Sequence, residues 1–554
     1  MILSRLLTCA FAIGAFLVAV RPSQGADRPR LIVVVSVDQL CQEYFQRFAD
    51  NISANEGFYA LASQQGAIYT NCHHAHAFTL TAPGHAVQLT GAYPQQSGII
   101  GNEWYDRHTK KKMYCVQDLK TTTIGAVQGD GPCSPKNLLV PTVGDMLKLA
   151  NKQSKVIGIA LKDRAAILMT GQLADAAYWY EESEGVWATS SYYRSDLPGY
   201  IRAFNENKFI DRYAGQQWSL ALEPGKYHDY TPDDFASETN PDGLGRTFPH
   251  QLAADVGKQL YMQLRYTPFG NEMTLAIAKE IIESEQLGQD EATDLLCVNL
   301  SSNDYVGHAF GPHSKEVEDI TYRTDRQLRE FWDFLNEHKG IEGVVMALTA
   351  DHGVCPLPEY LKSQGVRRTG RDPLGGEAKV KAQLEPLLRA GLGLKDIKES
   401  LVERVESNQL YLDNEHPALA GENYAAAQRI CRDWLLEQNA IHTAVTREEL
   451  LAGQGGGALN AAFRKTFHVG RSGDVLWAYE PFYLCGGSGT THGSPWRYDT
   501  HVPLVLVGQG IEHGTLARRV SPAMLAPTIS HLLGVDAPAA CSEEPLHEAL
   551  GLKP

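Results

Sequence analysis

Short apolar runs that each end at a polar residue constrain the fold of this chain more than any other feature. The first run, L-I-V-V-V-S-V at positions 31–37, is followed by Asp38. It is rich in β-branched residues and too short for a buried helix, so it predicts a strand covered on both faces of a parallel sheet. Similar runs predict further strands at 67–70, 156–161, 295–300, 344–350, 476–479 and 502–507.

Helical patterns alternate with these runs. Residues 39–62 and 315–338 carry apolar side chains at helical spacing, which predicts amphipathic helices. Strands that alternate with helices predict an α/β fold, an α/β/α sandwich with a mostly parallel central sheet. Ligands in such folds bind beyond the carboxyl ends of the strands. Asp38, Lys162, Asp304 and Asp351 all follow predicted strands, so we expect them at one rim.

The chain has 554 residues, enough for one large domain with insertions. Residues 1–26 predict a signal peptide: Arg5 precedes an apolar run, and small residues follow it. No later stretch is long and apolar enough to span a membrane, so we expect a periplasmic or secreted protein. Residues 27–554 would form the catalytic domain. Two less regular stretches, 165–290 and 357–471, are predicted insertions that form a lid over the rim.

The net charge and the cysteine spacing argue against two classes of function, nucleic-acid binding and a thiolate zinc site. The formal net charge is −15, which argues against nucleic acid as a partner. A small anionic substrate would need local positive charge, which bound metal ions could supply. The ten cysteines include no C-x-x-C pair, which argues against a thiolate zinc cluster. Cys355 is predicted to be a packed thiol, and the spacing does not reveal any disulfide pairing.

A candidate nucleophile lies in A-F-T-L-T-A-P-G-H-A-V-Q-L-T-G at positions 77–91. Pro83 is suited to the first position of a helix, and Gly91 to the position just after its end. The hydroxyl of Thr81 would then lie at a helix N-terminus, where unpaired backbone N–H groups favour an anion. A lone threonine there is usually a helix cap, so the functional interpretation depends on Asp and His residues elsewhere.

Those Asp and His residues suggest two metal sites. Asp304 and His308 are one helical turn apart and would share a side of a helix. Asp351 and His352 follow a predicted strand, and His492 lies in a Gly- and Ser-rich loop. Mixed carboxylate and imidazole donors suit zinc, although manganese or cobalt could also bind. The predicted sites are Asp304, His308 and His492 for one ion, and Asp38, Thr81, Asp351 and His352 for the other.

Seven segments occur in the order expected of a known family: V-S-V-D-Q, T-A-P-G-H, G-I-I-G-N, K-D-R, D-Y-V-G-H, T-A-D-H-G and T-H-G-S-P-W-R-Y-D-T-H-V-P. Through them the chain resembles the alkaline phosphatase superfamily, and more closely the phosphate-irrepressible alkaline phosphatases. The resemblance covers most of the chain and thins in the two insertions. It implies an alkaline phosphatase-like fold, two Zn²⁺ ions and a phosphothreonine at Thr81. It also implies that Asn102 donates a hydrogen bond to a phosphoryl oxygen.

Lys162 and Arg164 of K-D-R are the predicted phosphate clamp. At positions i and i+2 of an extended segment they would point to the same side. Arg can bind two phosphoryl oxygens, and Lys adds a point charge. Added cations favour the dianion of a monoester over a diester. We therefore predict an exported zinc-dependent alkaline phosphatase, with a phosphodiesterase or nucleotide pyrophosphatase on the same fold as the alternative.

The sequence gives less support to another nucleophile or to another function. Thr79 is the rival nucleophile, but the family motif matches at Thr81. No C-x-P-x-R stretch supports a sulfatase, and no expected metal ligand is missing, which argues against a catalytically dead binding protein. The expected partners are small phosphate monoesters and inorganic phosphate. The protein is expected to be a monomer. An additional structural Ca²⁺ stays open. Packing or loop roles are expected for His73, His74 and His76. His85 and His501 are expected to be structural or to orient metal ligands by hydrogen bonds.

Overall fold

The computed structural model describes residues 28–553 except 55, 128, 130, 339, 340, 342, 395 and 396. The predicted signal peptide therefore lies outside the described residues. None of the helices in the described part of the chain is both long and apolar enough to cross a membrane. The nine cysteines among these residues are all thiols, and Cys355 is buried as predicted.

A ten-stranded sheet forms the centre of the molecule. Eight strands run in one direction, and the strands His501–Gly508 and Val186–Ser190 run in the other. The predicted mostly parallel α/β fold is confirmed. In spatial order the strands are Gly514–Leu516, Ala67–His73, His501–Gly508, Val344–Thr349, Leu31–Val37, Asp294–Leu300, Val156–Ala160, Ala176–Glu181, Val186–Ser190 and Thr123–Ile124.

The strand Leu31–Val37 lies at the middle of this sheet. Leu31–Val37 pairs in parallel with Asp294–Leu300 on one side and with Val344–Thr349 on the other. Every residue of Leu31–Val37 is buried. Because successive side chains of a strand point to opposite faces, complete burial means that both faces of the sheet are covered. The structure is thus the predicted sandwich of helices around a sheet.

Helices supply the two outer layers. Helix Lys315–Glu337 matches its prediction, but residues 39–62 form three short helices, Tyr44–Arg47, Ala49–Ala54 and Phe58–Gln65, rather than one. The other helices of eight or more residues are Thr81–Thr90, Val143–Ala150, Asp163–Thr170, Gly199–Glu206, Pro268–Ser284, Ser302–Phe310, Glu377–Gly391, Glu422–Leu436, Ala458–Thr466 and Leu525–Leu533.

A second sheet has strands in the order Val402–Glu406, Gln409–Leu412, Val475–Tyr479 and Ile441–Thr446. Three of these strands lie in the second predicted insertion, and Val475–Tyr479 lies just beyond its predicted end at residue 471. These strands and two helices of the insertion enclose a separate apolar core. The prediction that 476–479 belongs to the central sheet is therefore wrong. The first predicted insertion includes two central strands, Ala176–Glu181 and Val186–Ser190. That the rest of it acts as a lid stays a prediction.

Candidate active site

The predicted rim exists at the carboxyl edge of the parallel strands. Asp38 directly follows Leu31–Val37, and Asp351 comes two residues after Val344–Thr349. His492 precedes His501–Gly508, which runs in the opposite direction, so its start lies at the same edge. The sheet thus gathers residues that are hundreds of positions apart in sequence.

Thr81 lies at the start of helix Thr81–Thr90, which begins two residues before Pro83, earlier than predicted, and ends before Gly91 at φ 63°. Thr81 is 2% exposed, and its Oγ1 lies 3.3 Å from His352 Nε2. A Cβ added to Gly84 would lie 2.2 Å from the Asp351 carbonyl oxygen. Glycine at this position therefore allows the helix to approach the Asp351 backbone closely.

The hydroxyl of Thr79, the rival nucleophile, is hydrogen-bonded to another segment. Thr79 is buried, and its Oγ1 donates a hydrogen bond to the Ser494 carbonyl at 2.8 Å. Its own carbonyl accepts a hydrogen bond from His492 Nδ1 at 2.7 Å. Thr79 therefore holds the His492 loop in place, while the hydroxyl of Thr81 faces an imidazole of the site.

Helix Ser302–Phe310 carries two of the three residues of the first predicted metal site, Asp304 and His308. His308 Nε2 lies 3.1 Å from Asp304 Oδ1, which confirms that the two share a side of the helix. His492 Nε2 lies 3.9 Å from the same carboxylate oxygen. The three predicted ligands are thus brought together, although they come from two separate segments.

The second predicted set of ligands is also brought together, but His352 lies close to residues of both sets. His352 Nε2 lies 3.2 Å from Asp351 Oδ2 and 3.4 Å from Asp38 Oδ1. The His352 ring also stacks on His492 with centroids 3.3 Å apart. Donor atoms within 4.8 Å of one another form two groups: Asp304, His352 and His492, and Asp38, His85 and Asp351.

Backbone carbonyls set the tautomers of the three imidazoles. The Nδ1 atoms of His308, His352 and His492 lie 2.7, 2.9 and 2.7 Å from the carbonyl oxygens of residues 490, 353 and 79. A carbonyl only accepts, so each Nδ1 is assigned the proton, and the Nε2 lone pair of a neutral ring faces the carboxylates. Histidine ligands of metals are commonly oriented in this way.

The electrostatics differ among these groups. Burial lowers the pKa of His352 and of His492, which favours the neutral rings. Burial acts against the shift at His308, but the Asp304 carboxylate raises the pKa of that ring. Burial raises the pKa of Asp351 to about 6 and, together with the charge of Asp351, raises the pKa of Asp38 well above its ordinary value.

Two carboxylate oxygens of the site lack a hydrogen-bond donor: Asp38 Oδ1 and Asp351 Oδ2, both on fully buried residues. Burying an anionic oxygen without a donor or a cation is costly. A divalent ion would remove this cost, and the mixture of carboxylate oxygens and imidazole nitrogens is one that zinc accepts. The residues present therefore fit a metal site.

Lys162 and Arg164 are close to the site, but the prediction that both lie in one extended segment is wrong, because only Lys162 has an extended backbone. Lys162 is the N-cap of helix Asp163–Thr170, which places Arg164 in the first helical turn. The buried Lys162 Nζ donates to Asp38 Oδ2 at 2.6 Å and to Asp304 Oδ2 at 2.5 Å, so it connects the two ligand sets. The alternation of side chains along a strand does not reach Lys162 and Arg164, because the strand ends at residue 160.

Arg164 is half-buried beside this cluster. Its Nε has no hydrogen-bond partner, and its Nη1 donates to the Tyr114 hydroxyl at 3.4 Å. The charge of Arg164 acts on both Lys162 and His85. A guanidinium with an unused buried N–H is suited to bind an anion.

Asn102 is placed beside the start of the helix that carries Thr81. Its Oδ1 accepts a hydrogen bond from the Ala82 backbone N–H at 2.8 Å. Because the amide oxygen is used in this way, the amide NH₂ is the group that can donate to a ligand. This agrees with the donor role predicted for Asn102, which stays a prediction.

Sequence reasoning missed Gln39. Its backbone N–H donates to Asp351 Oδ1 at 3.2 Å, and its Nε2 donates to Asp304 Oδ1 at 2.6 Å. Gln39 has a φ of 65°, unusual for a residue with a side chain and common at functional sites. A Cβ on Gly307 would lie 1.7 Å from Gln39 Oε1. The only signals were the Gln of V-S-V-D-Q and the Gly of D-Y-V-G-H.

We expect Gln39→Ala to weaken zinc binding about 10- to 100-fold, the usual cost of removing a residue that orients a metal ligand. Competition with a chromogenic chelator would measure this, with the melting temperature as a check on folding. Gln42→Ala is the matched control, because Gln42 is equally buried and, among the described residues, has no hydrogen bond to the metal-ligand carboxylates. Equal zinc affinity in both variants and the wild type would remove Gln39 from the site.

His85 is the other addition. Sequence reasoning gave it a structural or ligand-orienting role, and its Nε2 lies 3.3 Å from Asp351 Oδ2, within the group that includes Asp38. His73 stacks on His501 with centroids 4.4 Å apart, and His74 Nε2 lies 3.0 Å from the Ala350 carbonyl oxygen. The packing or loop roles predicted for His73 and His74 agree with these contacts.

Comparison with known proteins places this geometry in a family. The type I phosphodiesterase / nucleotide pyrophosphatase family matches residues 32–482, most of the chain. The chain belongs to this family. Among its relatives is a protein of Myroides odoratus named a calcium-transporting ATPase, 35% identical over 97% of this chain and 97% of that protein. Alkaline phosphatase PhoV of Synechococcus elongatus is 34% identical over 94% of this chain and 93% of that protein.

Solved structures agree with the family assignment. The crystal structure of alkaline phosphatase PafA matches with a TM-score of 0.85 at 30% identity, over 95% of this chain and 100% of that chain. This family member therefore also has the fold expected from the resemblance, and its place in the alkaline phosphatase superfamily is confirmed.

Proposed function

We propose that this protein is an exported, zinc-dependent alkaline phosphatase that hydrolyses phosphate monoesters through a covalent phosphothreonine at Thr81. PhoV and PafA align with more than nine-tenths of the chain, and the chain is assigned with them to the phosphoric monoester hydrolases. The observation that carries the proposal is the buried hydroxyl of Thr81, 3.3 Å from a histidine that contacts both sets of carboxylates. Export is proposed from residues 1–26.

The proposed cofactors are two Zn²⁺ ions. One would be held by Asp304, His308 and His492, and the other by Asp38, Asp351, His352 and the oxygen of Thr81. Bound zinc supplies Lewis acidity, which lowers the pKa of a hydroxyl and neutralises charge on phosphoryl oxygens. The orphaned oxygens of Asp38 and Asp351 support this assignment.

The residues of the site would act in two in-line steps. Thr81 Oγ1 loses its proton to water and forms a bond to phosphorus. The bond between phosphorus and the ester oxygen breaks, and this oxygen takes up a proton from water to leave as the alcohol. A water molecule then attacks the phosphothreonine, which releases inorganic phosphate and restores the hydroxyl of Thr81. At the start of helix Thr81–Thr90 the backbone N–H of Thr81 can donate to a phosphoryl oxygen, because the N–H groups of Ala82 and Gly84 already bind Asn102 Oδ1 and the Leu80 carbonyl. The amide NH₂ of Asn102 can donate a further hydrogen bond.

Lys162 and Arg164 would decide between substrate classes. A monoester dianion has one more charge and one more free oxygen than a diester. Two cations beside the two metal sites therefore favour the monoester. A phosphodiesterase, the activity in the family's description, is the alternative that this argument disfavours.

We expect the zinc-loaded protein to hydrolyse an aryl phosphate monoester with kcat/KM at least about 10²-fold above that for the matching methyl aryl diester. The added charge-assisted hydrogen bonds are each worth about 1.5–3 kcal/mol. Steady-state kinetics with both substrates on one preparation would measure the ratio. A protein that prefers the diester would be a phosphodiesterase instead.

A further inference from the structure

A cavity of about 420 Å³ opens beside the candidate active site, between the catalytic domain and the second insertion. Its volume is within the range of small-molecule sites. Its apolar walls include Phe78, Leu80, Trp477, Tyr479, Tyr483 and Leu484. Residues between 372 and 408 of the insertion and the adjoining strand Val475–Tyr479 provide much of the wall. The cavity therefore depends on the packing of the insertion against the rim.

The cavity begins at the reacting groups. Leu80 directly precedes Thr81 and caps its helix, and His492 and its neighbours line the same space. In the proposed function, the ion held by Asp304, His308 and His492 lies on the leaving-group side. A group that extends from the ester oxygen past His492 would enter this cavity.

The walls favour an uncharged aromatic group. Trp477, Tyr479 and Tyr483 offer aromatic faces, which bind rings well. Trp477 is 2% exposed and its Nε1 has no hydrogen-bond partner, so the wall holds a buried donor. No Lys or Arg of the described chain lines the cavity, whereas four acidic residues do: Asp372, Glu377, Glu406 and Asp499. The two glutamates are paired with Lys112, Lys381 and Arg404 outside the lining, which leaves the two aspartates without a cation there among the described residues. An anionic leaving group would meet like charge there.

We propose that this cavity is the leaving-group subsite and that the enzyme prefers monoesters whose leaving group is uncharged and carries an aromatic ring, a class that includes aryl and nucleoside monoesters. The inference rests on the proposed function, because it takes the ester to be cleaved at Thr81. It accounts for the second insertion as the element that completes the substrate site.

The test compares kcat/KM for phenyl, 4-carboxyphenyl and ethyl phosphate. Each variant is compared with the wild type on the same substrate, which cancels the intrinsic reactivity of the ester. Tyr483→Ala is expected to lower the preference for phenyl over ethyl phosphate about tenfold, since a truncated aromatic contact typically costs at least 1 kcal/mol. Tyr192→Ala is the matched control, because Tyr192 is exposed and does not line the cavity.

A second variant tests charge without removing a wall. Glu377→Lys places a cation in the lining, so the ratio of 4-carboxyphenyl to phenyl phosphate should rise about threefold, the effect of a partly exposed ion pair. Glu399→Lys, on the same insertion but outside the cavity, should leave the ratio unchanged. Unchanged ratios in both Tyr483→Ala and Glu377→Lys, with an active wild type, would overturn the subsite alone. A zinc-loaded wild type that hydrolyses none of the three monoesters would overturn the proposed function.

Discussion

Replacing Thr81 by alanine should lower kcat/KM for an aryl phosphate by about 10⁴-fold or more, the usual scale for loss of a nucleophile. The variant keeps the helix and the Asp and His metal ligands but loses the Thr81 oxygen, which would bond to phosphorus. Thr79 would not replace it, because its hydroxyl is committed to the Ser494 carbonyl at 2.8 Å. Thr81→Ser should retain much of the activity, since it keeps the hydroxyl. Steady-state kinetics at saturating zinc would measure both.

Thr79→Ala is the matched control for this result. It removes a buried threonine hydroxyl two residues away and should cost far less activity than Thr81→Ala. Zinc content and melting temperature should stay close to the wild-type values in each variant. Near wild-type turnover by Thr81→Ala would exclude Thr81 as the nucleophile.

The second large effect is expected from the double variant Lys162→Ala/Arg164→Ala. Monoester kcat/KM should fall about 10³-fold, since two charge-assisted contacts to the phosphoryl group are lost. Diester kcat/KM should fall much less, so the ratio of monoester to diester turnover should drop sharply. Kinetics with a matched pair of esters would measure this ratio.

Lys162 complicates this variant, because its Nζ contacts Asp38 and Asp304. Removing it leaves buried carboxylates with one cation fewer, which destabilises a protein by about 3–5 kcal/mol when nothing replaces the charge. Arg164→Ala alone is the cleaner variant, because the Arg164 side chain has no ion pair with a predicted metal ligand among the described residues. An unchanged monoester-to-diester ratio in Arg164→Ala and in the double variant would refute the clamp.

Most of the central sheet was predictable from sequence. The strands are short β-branched runs buried on both faces, a pattern that few other structures produce, and Leu31–Val37 appears where its composition predicts. The error over 476–479 has a physical origin. A strand buried in a second core is as apolar as one in the central sheet, and periodicity does not reveal to which sheet it belongs.

The candidate site was predictable at the level of which residues take part. Asp38, Asp304 and Asp351 end apolar segments, and the architecture then brings them together. The finer geometry depends on contacts between distant segments. The position of His352 between two sets of carboxylates depends on how three strands pack, and the φ of 65° at Gln39 has no sequence signature. The local conformation of Lys162 and Arg164 was missed because helix Asp163–Thr170 begins within the motif.

Mapping the phosphoryl group on the protein during turnover is the direct test of Thr81 as the nucleophile. The zinc-loaded enzyme would be mixed with a ³²P-labelled monoester, quenched in acid and digested, and the labelled peptide identified. The account predicts label on Thr81 and none on this peptide in Thr81→Ala. Label on another residue such as Thr79, or full turnover with no label at any quench time, would contradict it.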